Sequence, residues 1–105
     1  MNLDEITLET AQPLVNTLFQ VIVDEGSTLE MKLIDVAPFD LPRRPPRGSK
    51  QPKRAPFALY FLGPFEPILP QRMYDFRSGT MDLNGLFIVP VGRDEEGTEY
   101  EAVFS

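Results

Sequence analysis

Apolar and polar residues alternate with a period of two along most of this chain, in short runs broken by turn residues. Residues 18–23 (LFQVIV) are rich in β-branched and aromatic side chains, residues 24–27 (DEGS) supply a turn, and residues 28–33 (TLEMKL) alternate strictly. Leu29, Met31 and Leu33 share one face, and Glu30 and Lys32 the other, which predicts a hairpin closed by a short Gly-containing loop. Ile34 and Val36 break that parity and predict a bulge near Leu33. Residues 57–62 (FALYFL) are apolar on both faces, which predicts a central strand covered on both sides. Residues 72–77 set Tyr74 and Phe76 against Asp75 and Arg77, and Ser78-Gly79 turns the chain into residues 81–89, where Gly85 marks a bulge or a close backbone approach. Residues 92–97 read as a solvated turn, and residues 98–104 as a last strand with Tyr100, Ala102 and Phe104 inward. Ahead of the strands, residues 7–15 are the one helical segment, with Thr10 as the cap and Pro13 in the first turn.

The pattern predicts an all-β domain of about six mostly antiparallel strands, a small barrel or a sandwich, with at most one short N-terminal helix. Its expected core includes Phe57, Leu59, Phe61, Tyr74, Phe76, Phe87 and Phe104. A length of 105 residues suits a single domain. No apolar run approaches the roughly 18 residues a membrane helix needs. Residues 1–9 carry three acids and no base, unlike the basic start of a secretory signal. Together with the absence of Cys, this predicts a cytoplasmic protein with no membrane partner.

Residues 38–56 interrupt the β pattern. They hold six prolines and predict a basic loop inside the single domain 1–105. Arg43, Arg44, Arg47, Lys50, Lys53 and Arg54 are six of the ten bases of the chain, and no acid lies among them. That segment therefore carries +6, while the remainder sets four bases against sixteen acids and carries −12, for a net −6. Such segregation speaks to partners. Within it, Pro42-Arg-Arg-Pro45-Pro46-Arg47 matches the P-x-x-P-x-R pattern of ligands for aromatic grooves, which a semi-rigid proline-rich spacer also produces. Phe39 and Phe65 lie in proline-rich connections, where an aromatic is a lid over the core or an anchor for a partner. These eight residues are the candidate partner-binding set. Protein binding, including self-association through the oppositely charged loop, is the expected mode. Nucleic-acid binding by residues 43–54 is the alternative, weakened because no aromatic lies between Phe39 and Phe57 for base stacking.

The chemical inventory is thin. With no Cys and no His, thiolate nucleophiles, imidazole bases and Cys/His zinc sites are excluded. Asp94, Glu95, Glu96, Glu99 and Glu101 lack the spacing of a calcium loop and read as solvated positions. Asp75 and Asp82 flank a hairpin without forming a cleft, and Ser27, Ser49 and Ser78 have no base in reach of the pattern. No phosphate-binding glycine motif occurs. The expectation is a non-enzyme without metal, organic cofactor or small-molecule substrate.

Residues 69–74 (LPQRMY), residues 86–92 (LFIVPVG) and the terminal residues 100–104 (YEAVF), with residues 13–15 (PLV) and 19–21 (FQV), resemble a family of small bacterial domains of about this length with no assigned function. The resemblance spans nearly the whole chain apart from the basic loop. It implies an accessory or assembly role beside phage-tail-like or fibre proteins, and it transfers no catalytic residue.

Overall fold

The computed structural model describes residues 6–38, 57–79 and 81–104. A short helix α1 (Leu8–Ala11) runs into a 3-10 turn (Gln12–Leu14), and six strands follow: β1 (Leu18–Asp24), β2 (Ser27–Pro38), β3 (Phe57–Gly63), β4 (Arg72–Arg77), β5 (Asp82–Asp94) and β6 (Gly97–Phe104). The hydrogen-bonded order β1-β2-β3-β6-β5-β4 closes on itself through β4 and β1, and every pairing is antiparallel. The chain thus forms two three-stranded meanders joined along β3–β6 and along β4–β1. Closure leaves no open sheet edge between these strands, so docking by strand addition, which open hairpins would have allowed, loses its template.

The local signals hold with a few corrections. The parity break after Leu33 is a register shift between Leu33 and Asp35 opposite β3. Gly85 has φ +70 and sits where the β4–β5 register slips between Tyr74 and Phe76; its N–H donates to Asp75 Oδ1 at 2.8 Å. The N-cap is Thr7 rather than Thr10: Thr7 Oγ1 accepts from the Thr10 N–H, and the Thr10 hydroxyl accepts from the Thr7 N–H. Either threonine suits a cap, and the chain takes the one that leaves Ala11 facing the barrel. Strand β5 does not stop before Pro90 but runs on to Asp94, absorbing the proline at a second register shift.

Inward side chains fill the barrel, as expected for six strands. Phe19, Phe61 and Phe76, from β1, β3 and β4, meet edge-on or tilted with ring centres 4.7 to 6.1 Å apart. Phe57 and Phe104 stack in parallel at 4.9 Å on the paired ends of β3 and β6. Phe57, Leu59, Phe61, Tyr74, Phe76 and Phe104 are buried as predicted, but Phe87 is not: it points out of the wall. Strand β3 is buried on its inward side, while Tyr60 and Leu62 on its outer side are only half-buried. Ile6 and Ala11 are buried against the barrel from the N-terminal helical segment. Among the described residues no helix is long and apolar enough to cross a membrane.

Candidate interaction surface

A closed, filled barrel leaves its outer wall and its ends to meet other molecules. Of the eight candidate partner-binding residues, Phe65 is the one among the described residues. Phe39, Arg43, Arg44, Arg47, Lys50, Lys53 and Arg54 lie outside the described residues. Phe65 sits in the connection between β3 and β4, which crosses a barrel end. The residue is 48% exposed, and the Arg93 guanidinium lies over its ring, 3.5 Å from the ring centre. Arg93 Nε also donates to the Phe65 carbonyl at 3.0 Å, and its Nη2 donates to Glu66 Oε1 at 3.1 Å. The Thr98 hydroxyl donates to that same carbonyl, and the Leu69 N–H donates to the Tyr100 phenol at 2.9 Å. An open hollow beside this latch is lined by Glu66, Pro67, Ile68 and Arg93. Phe65 therefore fastens the connection to β5 and β6, with one ring face already taken by a cation.

The outer wall carries a feature that the sequence reading missed. Met73 on β4 is 68% exposed and stands directly opposite Phe87 on β5, which is 45% exposed. Val89 pairs with Glu101 on β6, and by alternation Phe87 and Val103, each two residues away along its strand, face outward; Val103 is 55% exposed. Val103 in turn pairs with Ala58 on β3, and Ala58 with Ala37 on β2. Met73, Phe87 and Val103 thus expose apolar side chains on β4, β5 and β6, whereas Ala58, beyond Val103 on β3, is buried. The signal was present in Leu86-Phe-Ile88: three consecutive apolar residues in an alternating strand cannot all face in, and Leu86 and Ile88 hold the inward positions.

Beside that group lies a row of different character. Tyr60 pairs with Asp35 on one side and Glu101 on the other, and Glu101 pairs with Val89. The Tyr60 phenol donates to Glu101 Oε2 at 2.8 Å. This hydrogen bond, followed by burial and the charges of Glu101, Asp35 and Glu99, raises the Tyr60 pKa above its ordinary value. Burial does the same to Tyr100 inside the barrel. Among the described residues the ion pairs are Arg77–Asp82 and Arg93–Glu66, so Asp35, Glu99 and Glu101 are not paired with a base there.

Of the remaining candidate acids, Asp75, Asp82 and Asp94 hold local structure, while Glu95 and Glu96 are exposed in the turn. Asp75 receives the bulge N–H of Gly85, Asp82 pairs with Arg77 at 3.2 Å, and Asp94 caps the hairpin turn by accepting from the Glu96 N–H. Among the described residues no group of three or more carboxylates is arranged to hold a metal ion. The Ser78 hydroxyl bonds Met81 across the β4–β5 turn.

A family model described as a domain of unknown function (DUF6916) matches residues 6–104. No curated protein and no solved structure matches the chain.

Proposed function

This chain belongs to the DUF6916 family of domains of unknown function, and we propose that it is a non-enzymatic structural or adaptor domain that binds another protein chain on the outer wall of β4, β5 and β6. The observation that carries this reading is the exposed apolar group Met73, Phe87 and Val103 on three neighbouring strands, with Met73 paired to Phe87. Single exposed apolar residues are ordinary, but a group of them flanked by polar positions is the anatomy of a docking surface. The partner has apolar side chains at the centre and bases around them, because Glu99 and Glu101 lie on β6 alongside Val103, and Asp35 on β2 flanks Tyr60 of the next strand. Those carboxylates also weigh against nucleic acid as the occupant of this wall, since a phosphate backbone would meet like charge. The resemblance to domains that accompany phage-tail-like or fibre proteins supports a role in assembly, and the absence of Cys supports a cytoplasmic setting.

The test compares the proteins retained by the immobilised wild-type domain with those retained by Met73→Ser and Phe87→Ser. Gln20→Ser, on the outer side of β1, is the control. Loss of the same partner from both wall variants, with retention by the control, is the expected result. Identical partner sets for all four proteins would overturn the assignment.

A further inference from the structure

We infer that Met73 is a redox switch on this wall: hydrogen peroxide converts its thioether to the sulfoxide and thereby releases the partner. The inference rests on the reading of the wall as a docking surface and adds its regulation. The chain offers such an oxidant few targets. It has no Cys, Trp or His, so methionine is the side chain that peroxide attacks. Of the four methionines, Met1 lies outside the described residues. Met31 is fully buried, filling the space beside Gly63, and Met81 is partly buried against the core. Met73, 68% exposed, is the most exposed large apolar residue among the described residues. Peroxide therefore reaches its sulfur without any opening of the fold, whereas Met31 requires one.

A lone pair of the Met73 sulfur attacks one peroxide oxygen, the O–O bond breaks, and the departing hydroxide takes the proton of the transferred oxygen. Sulfur gives up two electrons, peroxide gains them, and the products are methionine sulfoxide and water. The consequence depends on where the new S=O group stands. At Met31 it would force a polar group among the buried side chains and break the core. At Met73 it stands in water on the outer wall, so the fold persists while the apolar group on β4, β5 and β6 loses one of its three members. A partner covering the sulfoxide would strip water from its oxygen, and Phe87, the cross-strand neighbour, has no side-chain donor to replace it. Oxidation therefore changes the surface and spares the fold. A reductase that takes up the oxygen with a dithiol, yielding water and a disulfide, restores the thioether.

Tryptic mapping of the full chain by mass spectrometry, after graded exposure to hydrogen peroxide, tests the first step. Cleavage after Arg72 and Arg77 isolates Met73 in residues 73–77, and fragment sequencing separates Met1 from Met31 in residues 1–32. Met73 should gain oxygen at least about tenfold faster than Met31, and that preference should vanish in urea. Retention on a phenyl column, which needs no partner, should fall on oxidation of the wild type and return after treatment with methionine sulfoxide reductases and dithiothreitol. The oxidised, immobilised wild type should release the partner that the reduced protein retains. Met73→Leu, apolar but without sulfur, should keep column retention and partner before and after peroxide. Equal oxidation of Met73 and Met31 in the folded chain overturns the site. Column retention indifferent to oxidation of Met73, lost equally from Met73→Leu, or a partner still held by the oxidised wild type, overturns the switch. A wild-type chain that retains no partner before oxidation overturns the docking reading and the release step with it, while mapping and column retention still decide the oxidation site.

Discussion

Two glycines with positive φ separate backbone strain from steric exclusion. Gly85 (φ +70) faces open space, so a methyl group there meets nothing within 4 Å. Gly97 (φ +146) starts β6, and a methyl group there would overlap the carbonyl oxygen of Gly63 on the paired strand β3. Gly85→Ala should therefore cost only the conformational strain of an L-residue in a left-handed region, about 1–2 kcal/mol. Gly97→Ala carries comparable strain and adds the overlap. The obstructing atom is backbone, and it cannot swing aside, because Gly63 pairs with Thr98 and the space where a Gly63 side chain would stand is filled by Met31 and Tyr100. Strands β3 and β6 would have to part by something on the order of 1 Å, an overpacking cost of about 1–3 kcal/mol. The total, about 2–5 kcal/mol, is a large share of the roughly 5–15 kcal/mol that holds a domain folded. Urea unfolding followed by far-ultraviolet circular dichroism measures both variants against wild type. Gly97→Ala should unfold at a clearly lower midpoint than Gly85→Ala. Equal midpoints would refute the claim that the β3–β6 seam admits only glycine at this position.

At the barrel end, Arg93→Ala should cost about 1 kcal/mol and speed amide hydrogen exchange at Leu69, because it removes a cation over an aromatic face and a bond to a backbone carbonyl. Glu66→Ala should be nearly neutral, since its carboxylate is a largely exposed member of a surface ion pair; an equal loss from both would contradict the ranking. In alkaline solution the folded Tyr60 keeps its proton above the ordinary value of 10.0, so the folded state binds more protons than the unfolded chain there. The stability this contributes is full below about pH 10 and is lost as pH rises through the raised value. Tyr60→Phe should flatten that part of the stability profile, and an unchanged slope in denaturant midpoints above pH 10 would show that Tyr60 does not set it.

What the sequence makes legible here is what short-range pattern encodes. Strand identity follows from alternation, the bulge beyond Leu33 from a parity break, and the bulge at Gly85 from a residue that tolerates positive φ. Barrel closure has no such local signature. It depends on β3 meeting β6 and β1 meeting β4, pairings between elements distant in sequence, and the β1–β4 seam engages only Gln20, Val21 and Ile22 with Arg77, Phe76 and Asp75. The cap at Thr7 escaped for a different reason: Thr7 and Thr10 are chemically equivalent, and only the burial of Ala11 selects between them. Arg93 was hidden inside an acidic turn sequence, although its guanidinium makes three contacts with the connection between β3 and β4.

Phe87 shows how the candidate site follows from the same rules once closure is known. In a sandwich, an outward aromatic on a strand can be buried by a second sheet; around this single closed wall no second sheet lies beyond it among the described residues. Six strands wound around one filled interior have room for one side of each strand, and Leu86 and Ile88 already occupy that side on β5. A large apolar residue between them must then stay in water or find a cover outside the fold. Burying a phenylalanine fully contributes about 1.5–3 kcal/mol, and Phe87, with 45% of its surface exposed, has part of that still to gain. Met73, paired with Phe87, and Val103 on the next strand extend the same unrealised burial to either side, so the gain is concentrated in one place on the wall. Closure thus turns an ambiguous apolar triplet into a directional signal: the interior accounts for two of its members, and the third points to association.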